Sequence, residues 1–285
     1  MLVIWLNQYM KFALVNNERC EAAPKTKGIC PVCNGVVIAK CGKLKAHHWA
    51  HETKQDCKND RWETEGEWHR NWKNKFPVEW QEKIILVNGE KNIADVQTDK
   101  GLVIEFQHSH MNPEEQKSRG TAYNNMIWIV DGTRLKYDFS RFKKNVRDNS
   151  RLFLEIRKNV KLFFVDFCDE VFPKNWINCS VPVVFDFLGL EDEEKANIFQ
   201  KYLYFLLPRT KVKESETSAF LLYLPRKAFL PLINSDWELF YTELISSIIK
   251  IQKAKRQKPP QPVVYYGYRH SPRRNIFKVR RHRLI

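Results

Sequence analysis

The 285-residue sequence predicts a mixed α/β protein led by a small metal-held β module. Three observations predict it. Five of the seven cysteines crowd the first fifth of the chain, beside the run HHWAH. Residues 78–107 alternate like strands around an Asn-Gly turn. Helical patterns lie on either side, at 61–76 and from Asn112 onward.

The elements are justified in order. In residues 1–60, FALVNNERCEAAP reads as a strand pair around an Asn-Asn turn, and GVVIAK and KLKAHHW as two more strands joined at Cys41-Gly42. RWETEGEWHRNWKNKF, 61–76, reads as a helix that places Trp68 and Trp72 on one face, and Pro77 ends it. VEWQEKIILV, the turn Asn88-Gly89 and KNIADVQT form a hairpin, and 101–107 a third strand. Asn112 and Pro113 cap and open a further helix, and MIWIVDG is a short strand. The order helix, three strands, helix, strand over 61–140 is that of an α/β or α+β layer. In an α+β C-terminal region, 141–257, VKLFFVDF and SVPVVFDFLGL read as strands. EDEEKANIFQKYLYFLL and DWELFYTELISSIIKIQKAKRQK read as helices. KPPQP opens a basic aromatic tail, 258–285.

Composition narrows the function classes. No apolar run reaches about 20 residues, and MLVIWLNQYMKF is too short and polar for a signal peptide. A cytoplasmic address with no membrane partner is expected. The net charge is +15, and from Ile251 onward Lys and Arg occur without Asp or Glu. An anionic polymer is the expected partner, because neutralising phosphates releases counterions. Arg269, Arg273, Arg274, Arg280, Arg281 and Arg283 interleave with tyrosines that can stack on unpaired bases.

An odd cysteine count in a long chain without a signal peptide argues for metal rather than disulfides. Cys30 and Cys33 form a Cys-x2-Cys knuckle, and His48 and His51 a His-x2-His pair that can close a structural zinc site from the other side. Cys57 or His47 could replace one of the histidines. A closed four-ligand site leaves no position for water and is structural.

Asp95 and Glu105 fall where two paired strands diverge. Two carboxylates there repel unless a hard cation such as Mg²⁺ or Mn²⁺ sits between them. Such an ion can activate water against a phosphodiester. Gln107 shares the strand face of Glu105 and can orient that water. Glu65, His69 and Lys73 are four apart and line one helix face, offering a ligand, a proton shuttle and a phosphate-binding cation. Lys117 and Arg119 can meet phosphate from the next helix.

These residues carry a resemblance. Asp-x9-Glu-x-Gln after a helix and hairpin resembles the PD-(D/E)xK restriction-endonuclease-like core. FALVNNERCEAAP, CPVCNGVVIAKCGKLKAHHWAH, EGEWHRNWK, IADVQTDKGLVIEFQHS and IWIVDG together resemble the competence protein CoiA family over residues 10–138. The resemblance implies that Asp95 and Glu105 hold Mg²⁺ or Mn²⁺ and that Gln107 takes the place of the core lysine. It also implies that His69 and Lys73 form the helix motif, with Glu65 or Glu67 as its acid. The expected function is metal-dependent DNA hydrolysis in competence, recombination or antiphage defence. Partners are single- or double-stranded DNA and other DNA-processing or defence proteins, with a homodimer supplying two sites for a duplex. The alternative is a catalytically degenerate DNA-binding accessory protein, since Gln107 carries no charge. An HNH-type site on His47 and His48 would need a further Asn and His that CKNDRW matches poorly.

Overall fold

A computed structural model describes residues 10–257 apart from 44, 54–56, 58–64, 124, 213 and 214. The arginines expected to bind DNA at 269, 273, 274, 280, 281 and 283 lie outside the described residues. Two sheets form, with helices on the larger one, as a mixed α/β protein requires.

The first sheet is antiparallel, in the order β2-β1-β3-β4-β5: β1 Phe12–Val15, β2 Glu18–Glu21, β3 Lys27–Ile29, β4 Val36–Lys40 and β5 His48–His51. Asn16 and Asn17 turn β1 into β2 with φ of 52° and 66°, the left-handed pair a two-residue hairpin needs. Met10, Ala13, Val37 and Trp49 make a core of its own, too small to stand without a staple.

The second sheet has nine strands in the order β10-β11-β14-β13-β12-β9-β8-β7-β6. Helix α1, Glu67–Lys73, leads into β6 Gln81–Val87 and β7 Glu90–Gln97. Asn88 and Gly89 supply the positive φ of their turn. β8 Val103–Gln107, α2 Pro113–Ala122 and β9 Met126–Asp131 follow, β8 and β9 being parallel. The Asn112 side chain accepts from the Glu114 amide, the expected cap. Then come α3 Asp138–Asn149, β10 Ser150–Arg157, β11 Val160–Val165 and the short helices α4 Cys168–Val171 and α5 Lys174–Ile177. β12 Val183–Asp186, β13 Tyr202–Leu206, β14 Ala219–Pro225 and α6 Arg226–Gln257 complete the order.

β8, β9 and β12 are buried throughout, as parallel strands covered on both faces should be. One face packs Ile104 and Phe106 against Trp68 and Trp72 of α1 and Phe229 and Trp237 of α6. The other packs Trp128 and Phe185 against Phe142 of α3 and Trp176 of α5. β12 pairs with β9 in parallel, so residues on either side of the expected boundary at 140/141 share one sheet and one core.

Two helix expectations change. EDEEKANIFQKYLYFLL gives a single 3-10 turn, Glu193–Lys195, and then strand β13. The run YLYFL is buried on nearly every residue, and an interior strand buries both faces where an amphipathic helix buries one. Helix α6 begins upstream of the expected start and breaks at Asp236, whose φ of −146° and ψ of 78° are not helical. The Asp236 carboxylate accepts from the Leu239 amide and so caps the second half.

Candidate active site and metal centre

Cys30, Cys33, His51 and Cys57 bring their ligand atoms within 4.8 Å of one another. Cys33 Sγ lies 3.2 Å from His51 Nε2. Tetrahedral zinc with sulfur at about 2.3 Å sets its ligands about 3.8 Å apart, so the cluster fits the ion. A hydrogen bond with Cys57, working against burial, holds the Cys30 thiol down at about 5, the form a metal takes. His48, expected among the ligands, is outside this group. Its Nδ1 lies 2.8 Å from the Ala46 carbonyl. The reason is geometric: His48 and His51 share strand β5, and residues three apart on a strand point to opposite faces. Cys57, the alternative ligand, takes the place.

The β7–β8 ladder pairs Val96 with Ile104 and Gln97 with Val103, and then opens. Asp95 and Glu105 sit at that opening. Asp95 Oδ2 accepts from the Phe106 amide across the gap at 2.9 Å. Asp95 Oδ1 lies 2.9 Å from His69 Nε2 and 3.9 Å from Lys73 Nζ. Burial would push the Asp95 carboxyl up, but the His69 and Lys73 charges outweigh it and hold it near 2. The same contact raises His69 against the effect of its own burial. Glu105 goes the other way: burial and the Asp95 charge push it to about 8, although Arg119 opposes them. Two adjacent carboxyls with opposed affinities for protons are the setting of acid–base or metal-ion chemistry. A divalent cation would relieve this burial and repulsion, so the pair fits Mg²⁺ or Mn²⁺.

Arg119, expected on phosphate, lies with Nη1 3.2 Å from Glu105 Oε2 and Nη2 2.8 Å from Glu115 Oε1. It belongs to the carboxylate pair rather than to the outer surface. Lys117, from the same helix, is exposed. Gln107 is buried and shares the β8 face of Glu105, but its amide donates to Ser109 O at 3.0 Å.

Lys73, expected as a phosphate-binding cation, is 2% exposed and takes another role. Its Nζ lies 2.6 Å from Glu82 Oε1 and 2.9 Å from Glu65 Oε1. Burial would lower the ammonium, yet Glu65, Glu82 and Asp95 overcompensate and raise it. Enclosed by three carboxylates, it cannot reach a substrate. Glu65 is its partner and that of Arg70, so its oxygens are committed there. QEKIILV gives no periodic reason to single out Glu82. Its Oε1 also accepts from the Lys11 amide at 2.9 Å and its Oε2 from the Phe12 amide at 3.1 Å. It therefore ties the first sheet to the second. Asp186 stays outside the site: Trp68 and Trp72 donate their indole N–H groups to its Oδ2, and Arg226 pairs with its Oδ1.

Two family models match the chain. Residues 14–60 match the family model for Competence protein CoiA, N-terminal domain, and residues 87–183 that for Competence protein CoiA, nuclease-like domain. The first match includes all four Cys–His ligands, and the second includes Asp95, Glu105, Gln107 and Arg119. Competence protein CoiA of Bacillus subtilis (strain 168) is 26% identical over 145 residues, which cover 46% of this chain and 38% of that protein. The match thus spans well under half of the relative's length. No solved structure matches. No helix among the described residues is long and apolar enough to cross a membrane.

Proposed function

Because the chain belongs to the competence protein CoiA family, we propose that it is a metal-dependent DNA nuclease with a PD-(D/E)xK core. The observation that carries this reading is the Asp95–Glu105 pair on diverging strands, one carboxyl held near 2 and the other near 8. The run α1, β6, β7, β8, α2, β9, with β8 parallel to β9, supports the core assignment.

Asp95 and Glu105 would hold Mg²⁺ or Mn²⁺. Bound there, the ion supplies a nucleophilic water and charge for the attacked phosphate. The chain's own residues do the rest. His69 fixes one oxygen of Asp95, and the Phe106 amide fixes the other. Arg119 orients Glu105 and brings to this face the charge that Gln107 lacks. Zinc at Cys30, Cys33, His51 and Cys57 is structural. DNA is held by Lys117 and by the basic tail, a homodimer would serve a duplex, and the setting is competence, recombination or defence in the cytoplasm.

The test uses purified protein, parent and Asp95→Ala, with single-stranded and duplex DNA, in Mg²⁺, Mn²⁺ or chelator. Metal-dependent cleavage by the parent alone is expected. Equal cleavage by both proteins removes the two carboxylates from the mechanism.

One observation favours a second reading, a DNA-binding accessory protein without catalysis. Both carboxylates already carry protein counter-charges, and the Gln107 amide is turned to Ser109. Binding that falls with salt, unaffected by metal and without any cleavage, would select it.

A further inference from the structure

Beyond Gln107, at the carboxyl ends of the parallel strands β8, β9 and β12, lies a cavity of about 340 Å³. Open α/β sheets bind ligands in such crevices. Its lining includes Arg134, Arg141 and Lys174 beside the apolar Leu135 and Pro173. Arg134 and Lys174 are exposed and have no ion-pair partner among the described residues. Arg141 gives Nη2 to Asp138 at 3.3 Å, while its Nε is buried without a hydrogen-bond partner among the described residues. Three cations around one cavity, two of them without an ion-pair partner among the described residues, call for an anion. The acids of the wall do not fill that need. Asp138 pairs with Arg141, and Asp131 accepts from Thr133 and lies 2.7 Å from His108 Nδ1.

We propose that this cavity is a mononucleotide site. It would take one nucleotide of the substrate strand, its phosphate among Arg134, Arg141 and Lys174 and its base against the apolar lining at Leu135 and Pro173. The volume is at the low end for ligand pockets, enough for one nucleotide and too small for a base pair. The nucleotide must therefore be unpaired when it enters, at a single strand or a frayed end. Gln107 forms part of the wall, and Glu105 is two strand residues away, about 6.6 Å. The placement of the strand rests on the nuclease reading, but the chemistry of the cavity does not.

The test measures binding without cleavage, in the absence of magnesium and manganese and at one fixed salt concentration. The full chain and the Arg134→Ala/Lys174→Ala double variant are titrated with a labelled 12-nucleotide single strand, the same sequence as a blunt duplex, and 2′-deoxyadenosine 5′-monophosphate. Both substituted residues are exposed, and an unchanged melting temperature confirms the fold. The variant should lose about tenfold or more in affinity for the single strand and the mononucleotide, from two charge-assisted contacts, with the duplex nearly unaffected. Loss for the mononucleotide alone keeps the site and makes a free nucleotide its ligand. Unchanged binding of both overturns the proposal. A parent that cuts DNA while the variant binds normally refutes the cavity site alone. A parent that never cuts while the variant loses nucleotide refutes the nuclease reading alone.

Discussion

The Cys–His cluster and the Asp95–Glu105 pair solve the problem of gathered ligands in opposite ways. In the first, four ligand atoms converge on one another in a five-stranded module whose own core is slight. In the second, each carboxylate already faces a protein cation, His69 and Lys73 for Asp95 and Arg119 for Glu105. A cluster of thiolates this close needs an ion in order to persist, so an ion held there would be part of the fold. A pair standing on protein charges persists without an ion, so any ion there can exchange. The larger apolar core beneath the second site, with Trp72 stacked on Phe106, allows this.

Removing zinc should break the contrast most severely. Structural zinc supplies about 10–16 kcal/mol in small metal-held units, so Cys30→Ser and Cys57→Ser should lose the ion and unfold residues 10–57. His48→Ala should keep about one zinc per chain by atomic emission. Retention by Cys57→Ser with loss by His48→Ala would reverse the assignment of the fourth ligand. Next in size is Lys73→Met, which strips the counter-charge from buried Glu82 and Glu65. It should cost about 3–5 kcal/mol in urea unfolding, and a loss below about 1 kcal/mol would mean that the acids find other partners. Arg119→Ala should sharpen the contrast on the exchangeable side by slowing cleavage about 10- to 100-fold. Arg119→Lys should recover part of the rate, and wild-type rates for both would return Arg119 to a bystander.

A further effect is one of pH. Glu105 is raised to about 8 from its ordinary 4.5, so between those values the folded protein binds more protons than the unfolded chain. Stability is then greatest below pH 4.5 for this group and declines as pH rises toward 8. With zinc retained and no magnesium, the melting temperature should fall over that window. Glu105→Gln should flatten the fall, and an identical slope would assign the titration elsewhere.

The legible parts of the molecule were those with local chemistry. Asn-Gly and Asn-Asn turns, the Asn112–Pro113 cap and the Cys-x2-Cys knuckle each act within a few residues, and all stand where the spacing placed them. The histidine pair misleads because x2 spacing unites two side chains on a helix and separates them on a strand. Lys73 has helical spacing to Glu65 and His69, but its enclosure depends on Glu82, nine residues away, and on Asp95. Arg119 was visible only as a cation, since its partner Glu105 lies 14 residues upstream, across the β8–α2 connection. β13 looks helical in the sequence because its burial on both faces is imposed by its distant neighbours β12 and β14.

Glu82 has a consequence for how this gene can be cut. Its carboxylate accepts two amides from the start of the first sheet and pairs with Lys73, which in turn faces Asp95. Excising the first 60 residues would strip that carboxylate of two donors and leave a cut surface beside Lys73. Grafting those residues onto another protein would likewise leave the amides of Lys11 and Phe12 without their acceptor. The seam that looks separable along the chain is a shared joint in space, so the two parts should be expressed as one piece.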